Sequence, residues 1–334
     1  MKFDVSVIIC AYTEKRWDDL LAAVESIRQQ TASLYEIIVV IDHNPGLLKR
    51  AQEHLSDVVI VENRRTHGLS GARNSGIAVA KGNIIAFLDD DAIAEPNWLE
   101  HLAVYYADPR IAGVGGKIEP LWQGTRPYWF PDEFDWILSC TYCGLFMNAV
   151  AARNGGPVRN MIGANMSLRR DVLMSINGFH ETLGKGATGL ILNDVGGDDA
   201  EVSIHVARQY PDAQFYYAPN ALVWHSVPVQ RATLSYFLRR SYIEGLSKAK
   251  IVSMYGTNMG LSTERNYTFK VLPLGVIRGV TDALLHHDPT GLARAGAIVV
   301  AFVATLSGYI VGSVFFQLKK SSVDKKPLTA GKES

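Results

Sequence analysis

Cysteine is scarce: Cys10, Cys140 and Cys143 are the only three in a chain of 334 residues. That is too few for a disulfide framework. Cys140 and Cys143 have CxxC spacing, but no second pair completes a zinc site. All three are therefore expected to be reduced, buried and structural, which fits a cytosolic setting. An excess of charge is also lacking, since 33 basic residues balance 33 acidic ones. The balance excludes a general nucleic-acid binder and an acidic disordered chain, and no nucleic-acid partner is expected. The N-terminus lacks the pattern of a signal peptide. Met1-Lys2 runs straight into Val5–Cys10, an apolar run too short for a signal core and followed by a polar turn. Its Val and Ile content predicts a buried strand.

The length exceeds that of one simple core, so one large α/β domain with an appendage is expected. Strand and helix patterns alternate through the first half. Val5–Cys10, Glu36–Ile41, Val58–Val61 and Asn83–Leu88 read as strands; Asp18–Gln30, Leu47–Leu55 and Ser70–Lys81 read as helices. This order predicts a mostly parallel sheet with helices on both faces. Ligands of such sheets bind beyond the carboxyl ends of the strands. Tyr12, Asp42 and Asp89-Asp90-Asp91 stand at those ends. From Ile118 to Asn160 no clear period is visible, and the crowded aromatics there serve either as packing under a loop or as a binding wall. Later, Ala200–Gln209 reads as a helix, Gln214–Tyr217 as a strand and Thr233–Tyr255 as a basic, aromatic-bearing helix.

No long apolar run occurs until Ala295–Leu318, which carries no charge and exceeds the ~20 residues that cross a bilayer as helix. Gly308 and Gly312 give the spacing that lets helices approach closely, which also allows a homo-oligomer through this segment. Lys319, Lys320, Lys325 and Lys326 argue for a cytoplasmic C-terminus. A domain that consumes a cytoplasmic substrate would need the same side, and one crossing cannot satisfy both. Val271–Leu285 offers either a second crossing or an interfacial helix, because Arg278 and Asp282 are costly at the bilayer centre.

Two acidic clusters carry the chemistry. Asp89-Asp90-Asp91 follows a buried strand, and the mutual repulsion of its carboxylates asks for a compensating cation. Asp89 and Asp91, two apart, can hold a hard divalent ion, Mg2+ or Mn2+, through oxygen. The competing reading is a solvated acidic turn. Gly197-Asp198-Asp199-Ala200-Glu201 opens a helix, where an acid is either an N-cap or a general base. The glycines and arginines of Asn63–Asn74 suit phosphate or ribose recognition at a helix N-terminus.

These motifs arrive in a known order. Ser6–Ile9 with Ala11-Tyr12, Ile38–Asp42, Asn63…Gly68…Ala72-Arg73-Asn74, Phe87–Asp91, Gly163–Ser167 and Gly197-Asp198-Asp199 together resemble family 2 glycosyltransferases over roughly residues 4–226. Within that family the chain is similar to dolichyl- or polyprenyl-phosphate-sugar glycosyltransferases. The resemblance implies a GT-A fold over residues 1–230. A helical extension would follow over 231–270, membrane-associated segments over 271–320 and a basic, disordered tail over 321–334. It also implies site roles. Ala11 and Tyr12 would meet the nucleobase of a nucleotide-sugar donor, by default a UDP-sugar, with Asp42 accepting from a base N–H. Arg73 would lie near ribose or phosphates, as would Asp90 or Asp89. Asp89 and Asp91 match the family's DxD motif. Asp199 matches its general base, and Asp198 departs from the more usual Glu beside it. His225 would be either a third metal ligand or a packed core histidine.

The expected reaction is inverting transfer of a sugar to a hydroxyl of a lipid-linked or glycan acceptor. Trp129, Trp136, Arg239 and Arg240 are the candidate acceptor contacts. The catalytic domain is expected at the cytoplasmic face of a membrane, in contact with its lipid. A polysaccharide or soluble acceptor is the nearest alternative. A catalytically silent sugar-nucleotide binder would have no need of both acid clusters. A nucleotidyltransferase would show a glycine loop where Ala11-Tyr12-Thr13-Glu14 stands.

Overall fold

The computed structural model describes residues 4–32, 34–146, 149–184 and 195–324. Its first half alternates strand and helix: β1 (Val5–Ala11), α1 (Trp17–Arg28), β2 (Leu34–Ile41), α2 (Pro45–His54), β3 (Val59–Glu62), α3 (Leu69–Val79) and β4 (Ile84–Asp89). The Val/Ile runs become strands because both of their faces are covered. Val7 and Ile9 of β1 pack with Leu20 and Val24 of α1 on one side. Ile8 packs with Ile38, Ala72 and Ile77 on the other. Such two-sided burial marks a parallel sheet. The start of α2 is set locally, by the Asn44 side chain accepting from the Leu47 N–H with Pro45 in the first turn.

The second half adds β5 (Ala92–Ala94), α4 (Trp98–Ala103), β6 (Ile111–Trp122), α5 (Ala149–Asn154), β7 (Gly156–Val158), β8 (Asn165–Arg169), α6 (Arg170–Ser175), α7 (Asp198–Gln209) and β9 (Gln214–Val227). The sheet order is β3-β2-β1-β4-β8-β6-β9-β5, with β7 also pairing β9. The expected parallel order holds from β3 to β4. Beyond β4 the sheet is mixed: β8 runs antiparallel to both β4 and β6, while β6 and β9 are parallel. β9 is far longer than the Gln214–Tyr217 run suggests. After Pro219-Asn220 its burial alternates, and Ala221, Val223, His225 and Val227 all face inward. Period-2 burial of this kind is the mark of a strand, and it fixes the direction of His225.

The unreadable stretch after Ile118 continues β6 and then folds into short turns. Phe130, Phe134, Ile137 and Leu138 pack there with Phe237 and Ile298 in a third core. Cys140 is buried, but Cys143 opens a one-turn helix and is exposed, which corrects the expectation of burial for all three cysteines. Cys10 is half-buried, and the three are free.

The chain then leaves the sheet as α8 (Leu234–Tyr255), α9 (Thr257–Gly260), α10 (Ser262–Asn266), α11 (Leu272–Leu285) and α12 (Thr290–Asp324). Among the described residues α12 is the one helix long and apolar enough to cross a membrane. It is not free-standing. A Cβ on Gly308 would lie 2.0 Å from the Tyr242 carbonyl oxygen, and one on Gly245 would lie 2.0 Å from that of Thr305. The backbones of α8 and α12 therefore touch. The Gly308/Gly312 spacing is used inside the chain rather than left open to a second copy. The charges of the hairpin from Arg278 to Arg294 are paired: Arg278 meets buried Glu133 at 2.6 Å, and Arg294 meets Asp282 and Asp288 at 2.9 Å each. Its outer surface is apolar, with Leu274, Ile277, Val299, Val303, Ile310 and Val314 exposed. Lys325, Lys326 and the rest of the tail after Asp324 lie outside the described residues.

Candidate active site

The carboxyl ends of β1, β2 and β4 converge on one rim of the sheet. Asp89 closes β4, and Asp90 and Asp91 turn into β5, whose first residue, Ala92, pairs with His225 on β9. That pairing carries His225 to the aspartates although 134 positions separate it from Asp91 (225 − 91). His225 Nε2 lies 3.2 Å from Asp91 Oδ1 and 3.8 Å from Asp89 Oδ2. All three ligand atoms fall within 4.8 Å of one another.

Sequence reasoning expected a metal to relieve the repulsion in this cluster. The chain supplies relief of its own through two residues that reasoning missed. Arg16 pairs with Asp90 at 2.8 Å and with Asp91 at 3.2 Å, and Arg231 reaches Asp91 at 3.5 Å. Burial by itself would raise the Asp91 pKa, but His225, Arg16 and Arg231 outweigh it and hold the carboxyl below its usual value. Asp89 is lowered in the same way, burial being overcome by His225 and Arg73. Burial pushes Asp90 up to about 7 against the pull of Arg16, with Asp91 and Asp89 adding to the rise. One Asp90 oxygen, Oδ2, is buried without a hydrogen-bond partner. For His225, burial disfavours the charge, yet Asp91 and Asp89 raise its pKa well above normal. The imidazolium is thus the proton-borne cation that lets the aspartates crowd together. A divalent ion would substitute for that proton, and two carboxylates with one imidazole are suitable donors for Mn2+ or Mg2+. The residues fit the ion.

The second cluster opens α7. Gly197, at φ 95°, is the N-cap, so neither aspartate serves as one. Asp198 is bonded by Arg73 Nη1 at 2.6 Å, and Asp199 accepts from the Gly163 N–H at 3.1 Å and the Ala200 N–H at 2.7 Å. Burial and the Asp198 charge raise the Asp199 pKa, with Arg73 opposing them. Arg73 is itself buried and links the two clusters. Its Nη2 donates to the Gly163 carbonyl at 2.9 Å and lies 3.7 Å from Asp89.

The residues expected at the donor's base lie on the same rim. Ala11 is buried at the end of β1, and its carbonyl accepts from the Asp42 N–H at 2.8 Å. Tyr12 is half exposed, with the Arg16 guanidinium 5.7 Å from its ring centre. The Asp42 carboxylate is already engaged, accepting from Asn63 Nδ2 at 2.6 Å and from the Gly68 N–H at 2.9 Å. It braces the loop that leads into α3.

A cavity of about 480 Å3 is lined by Arg73, Asp89, Asp198 and Asp199 together with residues of α8, α10 and α12. Of the four acceptor candidates, Trp136 and Arg240 line it. Trp129 instead packs against Phe130 and Phe237, with ring centres 5.7 and 5.3 Å away. Arg239, one residue before Arg240, is exposed and not among the lining residues. Trp129 is not among the lining residues either, and Arg239 and Arg240 separate because consecutive helix positions face about 100° apart. Tyr267, which bonds both Trp136 and the Glu133 carbonyl, is a lining residue with no local signal in the sequence.

The profile of Glycosyl transferase family 2 matches residues 6–176. A glucosyl-dolichyl phosphate glucuronosyltransferase of Haloferax volcanii is 31% identical over 317 residues, covering 92% of this chain and 96% of that protein. A pre-mycofactocin glycosyltransferase of Mycobacterium tuberculosis is 25% identical over 246 residues, 73% of this chain and 45% of that one. Among solved structures, a mannosyltransferase from Pyrobaculum calidifontis, in complex with GDP-Man and Mn2+, superposes with a TM-score of 0.57 at 19% identity. It covers 98% of this chain and 89% of its own. At that identity the likeness speaks for the fold.

Proposed function

The chain belongs to glycosyl transferase family 2, and from that premise we propose a metal-dependent, inverting transfer of a sugar from a nucleotide-sugar donor to a lipid-linked sugar. The observation that carries this reading is one buried arginine, Arg73, joining two acid clusters of opposite character in a cavity that an apolar hairpin also lines. The Haloferax relative is named for glucosyl-dolichyl phosphate, and that acceptor class, a polyprenyl-phosphate-linked sugar, is carried over here as part of the proposal.

Asp199 removes the proton from the acceptor hydroxyl, and its raised pKa makes it a stronger proton acceptor than an ordinary carboxylate. The freed oxygen attacks the donor's anomeric carbon from the face opposite the diphosphate. The bond from that carbon to the diphosphate oxygen breaks, its electron pair leaves with the nucleoside diphosphate, and the configuration inverts. Asp89, Asp91 and His225 would hold Mn2+ or Mg2+, which neutralises the leaving group when bound. Tyr12 offers its exposed ring to the base, Ala11 and Asp42 edge that site, and Asp90 and Arg73 stand by the ribose and phosphates. A UDP-sugar remains the default donor.

The same reading sets the protein on the cytoplasmic face of a membrane. α12 lies along α8, which bears Arg239, Glu244, Lys248 and Lys250, so carrying α12 through a bilayer would drag those charges with it. A hairpin resting in the lipid surface on its apolar side keeps the catalytic domain and the C-terminal lysines on one side.

The test is a panel of nucleotide sugars with Mn2+ and a synthetic polyprenyl-phosphate glucose. One donor is expected to be consumed and its sugar transferred with inversion. Retention of configuration, or metal-independent transfer at the full rate, would overturn the reading.

A further inference from the structure

We propose that Arg240 binds the phosphate of the acceptor inside the cavity that the aspartates also line, while the acceptor's isoprenoid chain runs along Phe302, Leu306 and Tyr309 of α12. The proposal rests on the reading above and adds the group that recognises the acceptor's charge.

The argument begins with an imbalance. On the cavity face of α8, Lys248 is paired with Glu244 at 3.1 Å and with Glu264 at 2.8 Å, and Glu264 also meets Arg159 at 2.8 Å. Arg73 has Asp198 at 2.6 Å. Arg240 lines the same cavity and makes no ion pair among the described residues; its Nε is buried without a hydrogen-bond partner. A guanidinium whose buried donor goes unmet is costly, and the cost is removed when an anion accepts from its fork. Of the carboxylates that line the cavity, Asp198 is held by Arg73, and Glu244 and Glu264 by Lys248; none of the five, Asp89 and Asp199 included, pairs with Arg240. The anion that Arg240 can take therefore arrives from outside. Arg265, exposed on α10, lines the cavity too and adds a second positive charge.

The apolar part of the lining defines what the anion is attached to. Phe302, Leu306 and Tyr309 of α12 line the cavity, as does Phe269. Leu306 also belongs to the exposed outer surface of α12, so the apolar wall is continuous with the face that meets lipid. Phosphate recognition beside an unbroken apolar path is chemistry for an amphiphile with a phosphate head. A sugar carried on that phosphate would extend toward Asp199.

The experiment compares wild-type full-length protein with Arg240→Gln and Arg240→Lys in detergent. Three readouts are needed: slow donor hydrolysis, transfer to phytanyl-phosphate glucose and transfer to octyl glucoside. Arg240→Gln is expected to raise KM for the phosphorylated acceptor about 10-fold or more, as loss of a charge-assisted contact should. Donor hydrolysis and KM for octyl glucoside should stay at wild-type values. Arg240→Lys should restore part of the loss, because it keeps the charge but not the fork. An unchanged KM for the phosphorylated acceptor would overturn the proposal, as would an equal loss on both acceptors. A changed donor KM alone would also overturn it, by moving Arg240 to the donor's diphosphate. Failure of wild type to transfer to either acceptor would instead overturn the parent reading.

Discussion

The two acid clusters are built from the same residue type and do opposite things with it. Around Asp89 and Asp91 the chain gathers His225, Arg16, Arg231 and Arg73, and the carboxyls stay ionised below their usual range. At Asp198 and Asp199 a single arginine is committed to one member of the pair, and burial with the neighbouring charge lifts the other. The lesson is that the number of cations within reach, more than the carboxylate itself, divides holding a charge from accepting a proton.

The largest effect should come from the proton-accepting side. Asp199→Asn is expected to lower kcat by about 10^2- to 10^4-fold while leaving donor binding intact, measured by turnover beside calorimetry. Unchanged turnover would end the base assignment. The charge-holding side should respond in binding instead. Asp91→Ala is expected to abolish metal-dependent donor binding, and normal affinity by calorimetry with Mn2+ would remove Asp91 from the metal site. Asp198→Asn tests the coupling within the second pair. It removes the like charge that raises Asp199, so the acid limb of the pH–rate profile should move to lower pH. Loss of all activity would make Asp198 the base. The smallest effect is on the metal. Because the His225 proton must leave before the imidazole can ligate, Mn2+ affinity should fall as pH falls. A pH-independent affinity would exclude His225 from the ligand set.

Much of the frame around these clusters was legible. β1, β2 and β4 each hold a continuous apolar run that two-sided burial explains, so their ends, and the aspartates at them, could be placed from the sequence. What was not legible was carried by long-range pairing. Arg16 meets Asp90 across 74 residues, and His225 reaches Asp91 only because β5 pairs with an extension of β9 beyond Pro219. No local pattern records either contact. Arg239 and Arg240 were equal candidates because sequence proximity blurs what helix rotation separates. Trp129, packed against Phe130 and Phe237, and Trp136, on the cavity wall, were likewise not separated by the sequence.

The glycine contact between α8 and α12 has a further consequence. With no side chain between them, the backbones at Gly245 and Gly308 leave no slack. α8 carries Arg240 on its cavity face, and α12 carries the apolar stripe. A hairpin seated in lipid would thus set the height of the catalytic base above the membrane as a ruler does. An acceptor would be served when its sugar is long enough to span that height and short enough to fit beneath it.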